Sequence, residues 1–498
     1  MTSVLHAPTW QQQAETLSID GRAVIDGERR DSASGERFTS INPATGSALA
    51  EVSLCSSEDV DRAVASGRRS FESGAWSRAD AEQRKGALLR LAELMESRAS
   101  ELALLESLDM GKPVSQSSGV DVPGAIATFR WYAELADKLV DEIPATPQGS
   151  VALVTKEPLG VVGAIVPWNY PLEIAAWKLA PALAVGNSVV LKPAAESSLT
   201  ALLLGELALE AGLPAGVLNV VPGPGALVGE ALGLHPDVDA LAFTGSTAVS
   251  KLLLGYAARS NMKRLSLEAG GKSSNLIFAD TADLELAAEK AAFGVFYNQG
   301  EVCSSNSRIL VERSIYGEFV EAFARAAGAY EPGDPLDPAS GNGALVNEQH
   351  AGRVEEAIAL GIADGTLIRG GQRLRFGTST AFIQPTIIGD LPNDHALQHT
   401  EVFGPLAVVT AFDSEDEAIQ LANNTVYGLA ASVWTSNLAR AHRVSSRLTA
   451  GTVSVNTVDA LGLTTPFGGF RQSGFGRDLS AHAIDNYVGL KTTWIQYA

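Results

Sequence analysis

Short apolar segments alternate with longer amphipathic segments from residue 160 to residue 268, and this pattern constrains the fold more than any other feature. The apolar segments have the length of strands, and the segments between them have the length of helices. Continuous apolar strands between helices are typical of a parallel sheet that is covered on both faces. We therefore predict a Rossmann-like sheet that binds a nucleotide at the carboxyl ends of its strands. The predicted strands are 161–166, 188–192, 218–221, 240–243 and 263–268, and the predicted helices are 173–185, 198–211, 227–232 and 249–260.

The alternation starts again after Gly271, which predicts a second α/β domain from about residue 270. Before the first sheet, the chain reads as short strands between residues 22 and 52, followed by long helices. One of these early helices is predicted to start after Asp80 and end at Gly111, and the other to cover residues 123–140. The predicted elements of the second domain are strand 274–278, helix 284–296, strand 308–311 and helix 316–329.

Composition excludes several classes of partner. The chain has 37 basic and 57 acidic residues and a formal charge of −20, which argues against nucleic acid and against an anionic membrane. Residues 1–13 lack the basic and apolar regions of a signal peptide, and no run of about 18 apolar residues predicts a membrane span. With only Cys55 and Cys303, there is no disulfide framework. We expect a cytoplasmic protein without a metal site.

Cys303 is the leading candidate for a reactive group. It follows a predicted helix in the polar segment 296–306, FYNQGEVCSSN, and precedes a predicted strand, so the thiol can be partly exposed. A thiolate is a strong nucleophile that helix ends and backbone N–H groups can stabilise. The alternative is that a lone cysteine is a small buried apolar residue.

Three other segments support the reactive interpretation. In 164–171, AIVPWNYP, two prolines end a strand and hold Asn169 in a rigid loop, where its amide can donate to an oxyanion. In 264–272, RLSLEAGGK, Glu268 ends a strand before two glycines. In 400–405, TEVFGP, Glu401 lies beside Phe403 and a rigid turn.

Together, in this order and spacing, these segments resemble the aldehyde dehydrogenase superfamily over nearly the whole chain. The resemblance implies that Cys303 is the nucleophile, Glu268 the general base and Asn169 the oxyanion donor, and the segment 466–470, PFGGF, matches a late family motif. Lys178 matches a proton-relay position; its family partner, a glutamate, is replaced by Asp478. The segments 260–264, 296–303 and 491–495 are most similar to bacterial dehydrogenases of γ-glutamyl-γ-aminobutyraldehyde and 4-guanidinobutyraldehyde.

The resemblance also implies a domain organisation. The dinucleotide-binding domain would comprise residues 1–140 and 160–269, and the catalytic domain residues 270–480. Residues 141–159 and 481–498 would form an oligomerisation element, in which a hairpin of strands 141–146 and 150–156 meets the C-terminal strand 492–497 and a neighbouring subunit. Because a two-stranded ribbon is marginal alone, we expect a homotetramer or a homodimer.

The cofactor is expected to be NAD, and NADP use is also allowed. Gly225 lies in an approximate dinucleotide fingerprint, whereas Gly245 and Ser246 lie between a strand and a helix, where an N-terminus can meet a pyrophosphate. The family places Lys192 on the adenosine ribose, but the glutamate that usually follows three residues later is Ala195 here, and Glu196 comes one position late. The other residues that the resemblance places beside the cofactor are Ile165, Pro167, Trp168, Glu401 and Phe403.

The substrate channel leaves two interpretations open. Glu173 and Asp459 can pair with a cationic tail, which favours an amino-, guanidino- or γ-glutamylamino-aldehyde of polyamine catabolism. The aromatic residues instead favour a broad-range aliphatic or aromatic aldehyde dehydrogenase. Glu268 argues against a CoA-acylating relative, and the scattered histidines argue against a cofactor-independent thiol hydrolase. The predicted channel residues are Tyr170, Glu173, Trp177, Val302, Asp459, Leu461 and Phe467.

Overall fold

A computed structural model describes residues 9–498 of the chain. Residues 1–8, which include the start of the predicted cofactor domain and part of the segment examined for a signal peptide, lie outside the described residues. The α-helices are α1 (Trp10–Thr16), α2 (Ser57–Ser73), α3 (Ala81–Ser97), α4 (Ala99–Met110), α5 (Val114–Gln116), α6 (Val122–Ala136), α7 (Pro171–Ala184), α8 (Leu199–Glu210), α9 (Glu230–Leu234), α10 (Thr247–Arg259), α11 (Leu284–Phe296), α12 (Tyr316–Ala326), α13 (Glu348–Asp364), α14 (Ala396–His399), α15 (Glu415–Asn423) and α16 (Leu438–Arg447).

The strands fall into two large sheets and three two-stranded sheets within residues 9–498. They are β1 (Ala23–Ile25), β2 (Glu28–Arg30), β3 (Arg37–Ile41), β4 (Ala48–Ser53), β5 (Ser150–Pro158), β6 (Val161–Ile165), β7 (Ser188–Lys192), β8 (Leu218–Val220), β9 (Ala240–Thr244), β10 (Arg264–Glu268), β11 (Ser274–Ile277), β12 (Arg308–Glu312), β13 (Thr366–Arg369), β14 (Arg373–Phe376), β15 (Ser379–Ile383), β16 (Thr386–Gly389), β17 (Leu406–Phe412), β18 (Ala430–Trp434), β19 (Thr452–Val455), β20 (Gly474–Phe475) and β21 (Val488–Gln496).

The first large sheet has the strand order β2-β1-β8-β7-β6-β9-β10-β20. Its five central strands, β8 to β10 in this order, are parallel, as the alternating pattern predicts. Successive residues of a strand face opposite sides: Val161 packs with the core on one face, and Val162 packs with the core on the other. The two cores hold the carboxyl ends of the parallel strands at one edge, where Ile165 pairs with Lys192 and Thr244 pairs with Glu268.

The second large sheet has the order β13-β16-β17-β12-β11-β18-β19, and all its neighbours are parallel except β13 with β16. The predicted strands and helices between residues 274 and 329 are present here, with α11 at its predicted bounds. This α/β architecture confirms the predicted fold class. The predicted domain boundaries stay predictions.

Two local predictions are wrong. The single helix predicted from Asp80 to Gly111 is in fact two helices, α3 and α4, which meet at Arg98. Its two predicted ends are confirmed, because Asp80 caps α3 and Gly111 ends α4 with a left-handed φ of 89°.

The predicted hairpin of strands 141–146 and 150–156 is also absent. Instead β5 pairs along its whole length with β21 in the same chain, and the segment before it makes only the bridge between Glu142 and Val154. The reason is that Pro144 and Pro147 lack the N–H groups that a ladder requires. The C-terminal strand, longer than predicted, takes the free edge.

Candidate active site

A cleft of about 530 Å³ lies where the carboxyl edge of the first sheet meets loops of the second α/β unit. The structure brings together in its wall residues that the sequence predicts for the nucleophile, the oxyanion and the cofactor. These residues are Pro167, Trp168, Asn169, Gly245, Ser246, Cys303, Glu401 and Phe403.

Cys303 lies between α11 and β12, in the helix–loop–strand arrangement that the sequence predicts. The chain leaves α11 through a turn in which Asn298, Gln299 and Gly300 all have left-handed φ angles, of 50°, 56° and 71°. This turn reverses the chain and places the thiol, partly exposed, in the wall of the cleft. A left-handed conformation is uncommon for residues other than glycine and often marks a functional segment.

Burial raises the pKa of the Cys303 thiol, and the carboxylates of Asp459, Glu401 and Glu268 raise it further. A raised pKa favours the protonated thiol over the thiolate near neutral pH. A group that draws off its proton, or a positive charge placed in the cleft, is needed to generate the thiolate.

The Asn169 side chain is buried next to the nucleophile segment. Its Nδ2 donates a hydrogen bond of 2.7 Å to the carbonyl oxygen of Glu301, two residues before Cys303. A primary amide carries two N–H groups, so one remains for a second acceptor. Asn169 thus has the position and the free donor that an oxyanion site requires.

Glu268 ends β10 and is only 2% exposed. Neither of its carboxylate oxygens has a hydrogen-bond partner within residues 9–498, and a Cβ at Gly468 would lie 2.5 Å from its Oε1. Burial raises its pKa well above the usual range, and Asp478 adds to this effect, whereas Lys178 opposes it. A carboxyl group with a raised pKa is suited to accept a proton from water near neutral pH.

Lys178 and Asp478 form a buried ion pair next to Glu268, with 2.5 Å between Lys178 Nζ and Asp478 Oδ2. Asp478 is fixed further by two backbone hydrogen bonds with Phe467. Neither member of the pair donates a hydrogen bond to Glu268, so its influence on Glu268 in this structure is electrostatic.

Glu401 is held by two adjacent glycines. Its Oε1 accepts a 3.0 Å hydrogen bond from the N–H of Gly271, and a Cβ at Gly270 would lie 2.1 Å from its Oε2. Burial raises its pKa to about 7. Nearby, the rings of Trp168 and Phe403 meet edge to face at 5.2 Å and wall the same cleft.

Gly245 and Ser246 connect β9 to α10, a helix of 13 residues. Ser246 is the N-cap and accepts a 3.3 Å hydrogen bond from the N–H of Val249, and its O–H remains able to donate. A Cβ at Gly245 would lie 2.5 Å from the ring of Phe243, so a larger residue would require that ring to move. The backbone and the positive end of α10 thus fit an anionic pyrophosphate.

The remaining predicted cofactor residues lie outside the wall that contains Cys303. Ile165 and Lys192 end neighbouring strands, and Gly225, which is exposed, begins a π-helical turn, Gly225–Gly229, after β8. All three follow the same carboxyl edge of the sheet. Burial lowers the pKa of Lys192 to about 8, and the charge of Glu196 opposes this shift.

The predicted acidic channel residues, Glu173 and Asp459, are half-buried and lie beside a buried pair, Lys112 and Asp121, that the sequence does not reveal. Burial raises the pKa of Glu173 to about 8, and Asp121 and Asp459 raise it further while Lys112 lowers it. Lys112 is fully buried, pairs with Asp121 and lies 4.1 Å from the centre of the Tyr170 ring.

The other channel residues are less uniform in their surroundings. Asp459 has a left-handed φ of 46° and accepts a 2.7 Å hydrogen bond from Ser304, the neighbour of Cys303. The rings of Trp177 and Phe467 meet edge to face at 5.5 Å. Val302 is half-buried and Leu461 is 44% exposed.

Lys112, Asn298 and His350 are site residues that the sequence interpretation misses. Lys112 precedes a proline in what reads as a solvated turn, and His350 lies on an ordinary amphipathic helix, α13. In the structure, His350 Nε2 is 2.7 Å from the carbonyl oxygen of Phe403, and burial lowers its pKa to about 4. No pattern in the sequence signals these contacts.

Residues 30–493 match the sequence profile described as the aldehyde dehydrogenase family. The chain belongs to this family. It is 49% identical over 490 residues to the NADP/NAD-dependent aldehyde dehydrogenase PuuC of Escherichia coli, with 98% of each chain covered. The family match confirms the predicted superfamily and the predicted enzyme class, an NAD(P)-dependent aldehyde dehydrogenase.

Solved aldehyde dehydrogenase structures share the whole fold. The P. syringae indole-3-acetaldehyde dehydrogenase AldA, solved with NAD+, is 53% identical, with a TM-score of 0.97 over 98% of this chain and 99% of that one. The γ-glutamyl-γ-aminobutyraldehyde dehydrogenase of Burkholderia cenocepacia is 50% identical, with the same TM-score and coverage. The second similarity confirms the predicted likeness to that group of dehydrogenases.

Membrane-spanning helices and metal clusters would indicate other classes of function. Within residues 9–498, no helix combines the length and the apolar composition needed to cross a bilayer. In the same part of the chain, no cluster of His, Cys, Asp and Glu has the arrangement of a metal site.

Proposed function

We propose that this chain oxidises an aldehyde to the carboxylic acid through a covalent intermediate on Cys303. After the Cys303 thiol has lost its proton to water in the cleft, the thiolate attacks the carbonyl carbon, and the resulting oxyanion accepts hydrogen bonds from the free Asn169 N–H and from the backbone N–H of Cys303. The observation that carries this proposal is that Asn169 and Cys303 line one cleft, linked through Glu301.

Loss of hydride from the thiohemiacetal leaves a thioester on Cys303, which water must hydrolyse. NAD bound in the cleft would supply the hydride acceptor. Glu268 removes a proton from the attacking water, and the carbon–sulfur bond then breaks to release the acid and restore the thiolate. The raised pKa of Glu268 suits this role, and its oxygens have no competing hydrogen bond within residues 9–498.

The cofactor would be held by residues from both α/β units. The backbone after Gly245 and the N-terminus of α10 would take the pyrophosphate, and Lys192 the adenosine ribose. Glu401, with its carboxylate aligned by Gly271, would accept hydrogen bonds from the nicotinamide ribose. We propose NAD as the main cofactor and NADP as an alternative, since Ala195 replaces the glutamate that would repel a 2′-phosphate.

A cationic aldehyde is the substrate class that the carboxyl groups of Glu173 and Asp459 favour, because a cation beside them would lower their raised pKa values and stabilise the ionised form. Lys112 neutralises Asp121, which leaves Glu173 and Asp459 without a cation among the ion pairs of residues 9–498. Asp459 acts on Cys303 directly, because its charge is one of the causes that raise the pKa of the thiol. An amino-, guanidino- or γ-glutamylamino-aldehyde of polyamine catabolism would place an ammonium, guanidinium or amide group near these carboxyls.

The test compares two aldehydes of similar length, 4-aminobutanal and pentanal, with NAD and with NADP. We expect kcat/KM to favour 4-aminobutanal by at least about tenfold. Glu173→Gln and Asp459→Asn should each remove most of this preference, since one interaction with a partly buried charge contributes about 1–3 kcal/mol. Glu173→Gln should leave pentanal oxidation within about threefold, whereas Asp459→Asn also changes the reactivity of the Cys303 thiol. Asp413→Asn, at an exposed carboxylate that pairs with Arg313, is the matched control. Equal kcat/KM values for both aldehydes would contradict the cationic assignment.

The second candidate is a broad-range aliphatic or aromatic aldehyde dehydrogenase. The edge-to-face pair of Trp177 and Phe467 favours it, as does the similarity to an enzyme named for indole-3-acetaldehyde. Under this alternative, indole-3-acetaldehyde and hexanal are oxidised faster than 4-aminobutanal, and Trp177→Ala lowers kcat/KM for the aromatic aldehyde most.

The protein is further proposed to be a cytoplasmic homotetramer or homodimer. The ribbon of β5 and β21 exposes Leu490, Trp494 and Ile495, and a second copy of the chain would cover these apolar side chains. Both cysteines are free, which suits a reducing compartment.

A further inference from the structure

A buried amide network ties the oxyanion residue to the nucleophile segment. The side-chain Nδ2 of Asn298 donates to the backbone carbonyl of Asn169 at 3.1 Å and to the carbonyl of Glu301 at 3.3 Å. The same Glu301 carbonyl accepts the 2.7 Å hydrogen bond from Asn169 Nδ2. Three hydrogen bonds therefore join Asn298, Asn169 and Glu301 in a closed ring, and all three residues are at most 2% exposed.

The two acceptors fix the orientation of the Asn298 amide. Both neighbours are carbonyl oxygens, so the reverse orientation would place Oδ1 against two acceptors. In the observed orientation, Oδ1 is buried without a hydrogen-bond partner within residues 9–498. Such a group costs free energy, which indicates that the two donor contacts determine this position.

The backbone supports the same conclusion. Asn298 and Gln299 are consecutive left-handed residues, an arrangement that persists only when surrounding contacts hold it. Asn298 holds the turn against Asn169, whereas Gln299 holds it against a different segment. The Oε1 of Gln299 accepts a hydrogen bond from the N–H of Gly343, and the backbone N–H of Gln299 donates to the side chain of Asn342.

We propose that Asn298 is a positioning residue for the oxyanion site. Its amide holds the Asn169 main chain and the Glu301 carbonyl at fixed separation, so the Asn169 side chain has one N–H engaged and the other aimed at the thiohemiacetal oxygen. This inference rests on the proposed roles of Asn169 and Cys303.

Glycine substitution gives a matched pair of variants in the same turn. Glycine accepts a left-handed φ without strain, so Asn298→Gly and Gln299→Gly each remove one buried amide while permitting the backbone conformation. Of these two residues, Asn298 alone has a hydrogen bond to Asn169 within residues 9–498. We expect the rate constant of the first-turnover NADH burst to fall about 10–100-fold in Asn298→Gly and to stay within about threefold in Gln299→Gly.

A double-mutant cycle separates positioning from general disruption. If Asn298 acts through Asn169, then Asn169→Ala/Asn298→Gly should be no slower than Asn169→Ala alone. NAD affinity, measured by fluorescence titration, and alkylation of Cys303 by iodoacetamide should stay within about threefold in Asn298→Gly. Asn298→Asp, which keeps the size of the side chain but puts a carboxylate against both carbonyls, provides the same comparison if the glycine variant folds poorly.

The outcomes distinguish this inference from the proposed function. A burst in Asn298→Gly as fast as that of the parent, or a further slowing of at least tenfold on the Asn169→Ala background, would overturn the positioning role alone. If Asn169→Ala itself gives a burst as fast as that of the parent, the proposed oxyanion role fails and the inference falls with it.

Discussion

Replacing Glu268 by Gln separates the two halves of the proposed reaction. Formation of the thioester requires Cys303 and Asn169, whereas its hydrolysis requires a base. Since general-base catalysis contributes about 10²–10⁴-fold, the variant should form NADH once per active site and then turn over about 10²–10⁴ times more slowly than the parent, a barrier increase of about 3–5 kcal/mol.

The structure bounds the effect of this change on stability. Neither oxygen of Glu268 accepts a hydrogen bond within residues 9–498, so the substitution breaks none there and adds only buried N–H donors, which cost about 1–3 kcal/mol. The pH dependence gives a second criterion. Hydrolysis requires the ionised carboxylate, so turnover of the parent should rise with pH through the raised pKa of Glu268, and the variant should lose this rise.

Stopped-flow absorbance of NADH measures both phases. Asp109→Asn is the control, because Asp109 is also a buried carboxyl whose pKa is raised by burial, to about 7, but it contacts Ser40 and Leu199 outside the cleft wall. The reasoning is refuted if Glu268→Gln shows no burst and retains steady-state turnover within threefold of the parent.

Three further predictions follow from the charges and the ribbon. Lys178→Met leaves Asp478 buried without its cation and should destabilise the protein by about 3–5 kcal/mol, seen as a lower calorimetric Tm; an unchanged Tm would contradict the buried pair. Because burial raises the pKa of Glu401 to about 7, its carboxylate is protonated as pH falls below 7, and KM for NAD should rise. The same pH dependence of KM in Glu401→Gln as in the parent would refute this prediction. Trp494→Glu on the ribbon should lower the molar mass measured by light scattering, whereas Leu438→Glu, at a more exposed site on α16, should not; equal molar masses for the two variants would reject the ribbon interface.

Local patterns predict most of the fold because apolar periodicity and chain punctuation are local. The strand Ser188–Lys192 and the helix Leu284–Phe296 are found at their predicted bounds, and Asp80 and Gly111 mark helix ends. The hairpin read from the local pattern is wrong, whereas the C-terminal strand that the resemblance places beside it is indeed the partner of Ser150–Pro158. That partner lies more than 300 residues away, beyond the reach of any local pattern.

The site was predictable only where the family resemblance supplies positions. It places Asn169 and Cys303 in one site, and the structure shows them lining one cleft, although their roles stay predictions. The contacts of Lys112 with Tyr170 and of Asn298 with Asn169 depend on tertiary packing between distant segments. In the sequence, both residues read as ordinary polar turn residues.

Mass spectrometry of the stalled intermediate tests the central claim most directly. Glu268→Gln, mixed with NAD and an aldehyde and quenched in acid, should carry one acyl group on the peptide that contains Cys303 and none on the peptide that contains Cys55, which is fully buried. An NADH burst without an acyl group on Cys303, or with the group on another residue, would contradict the account.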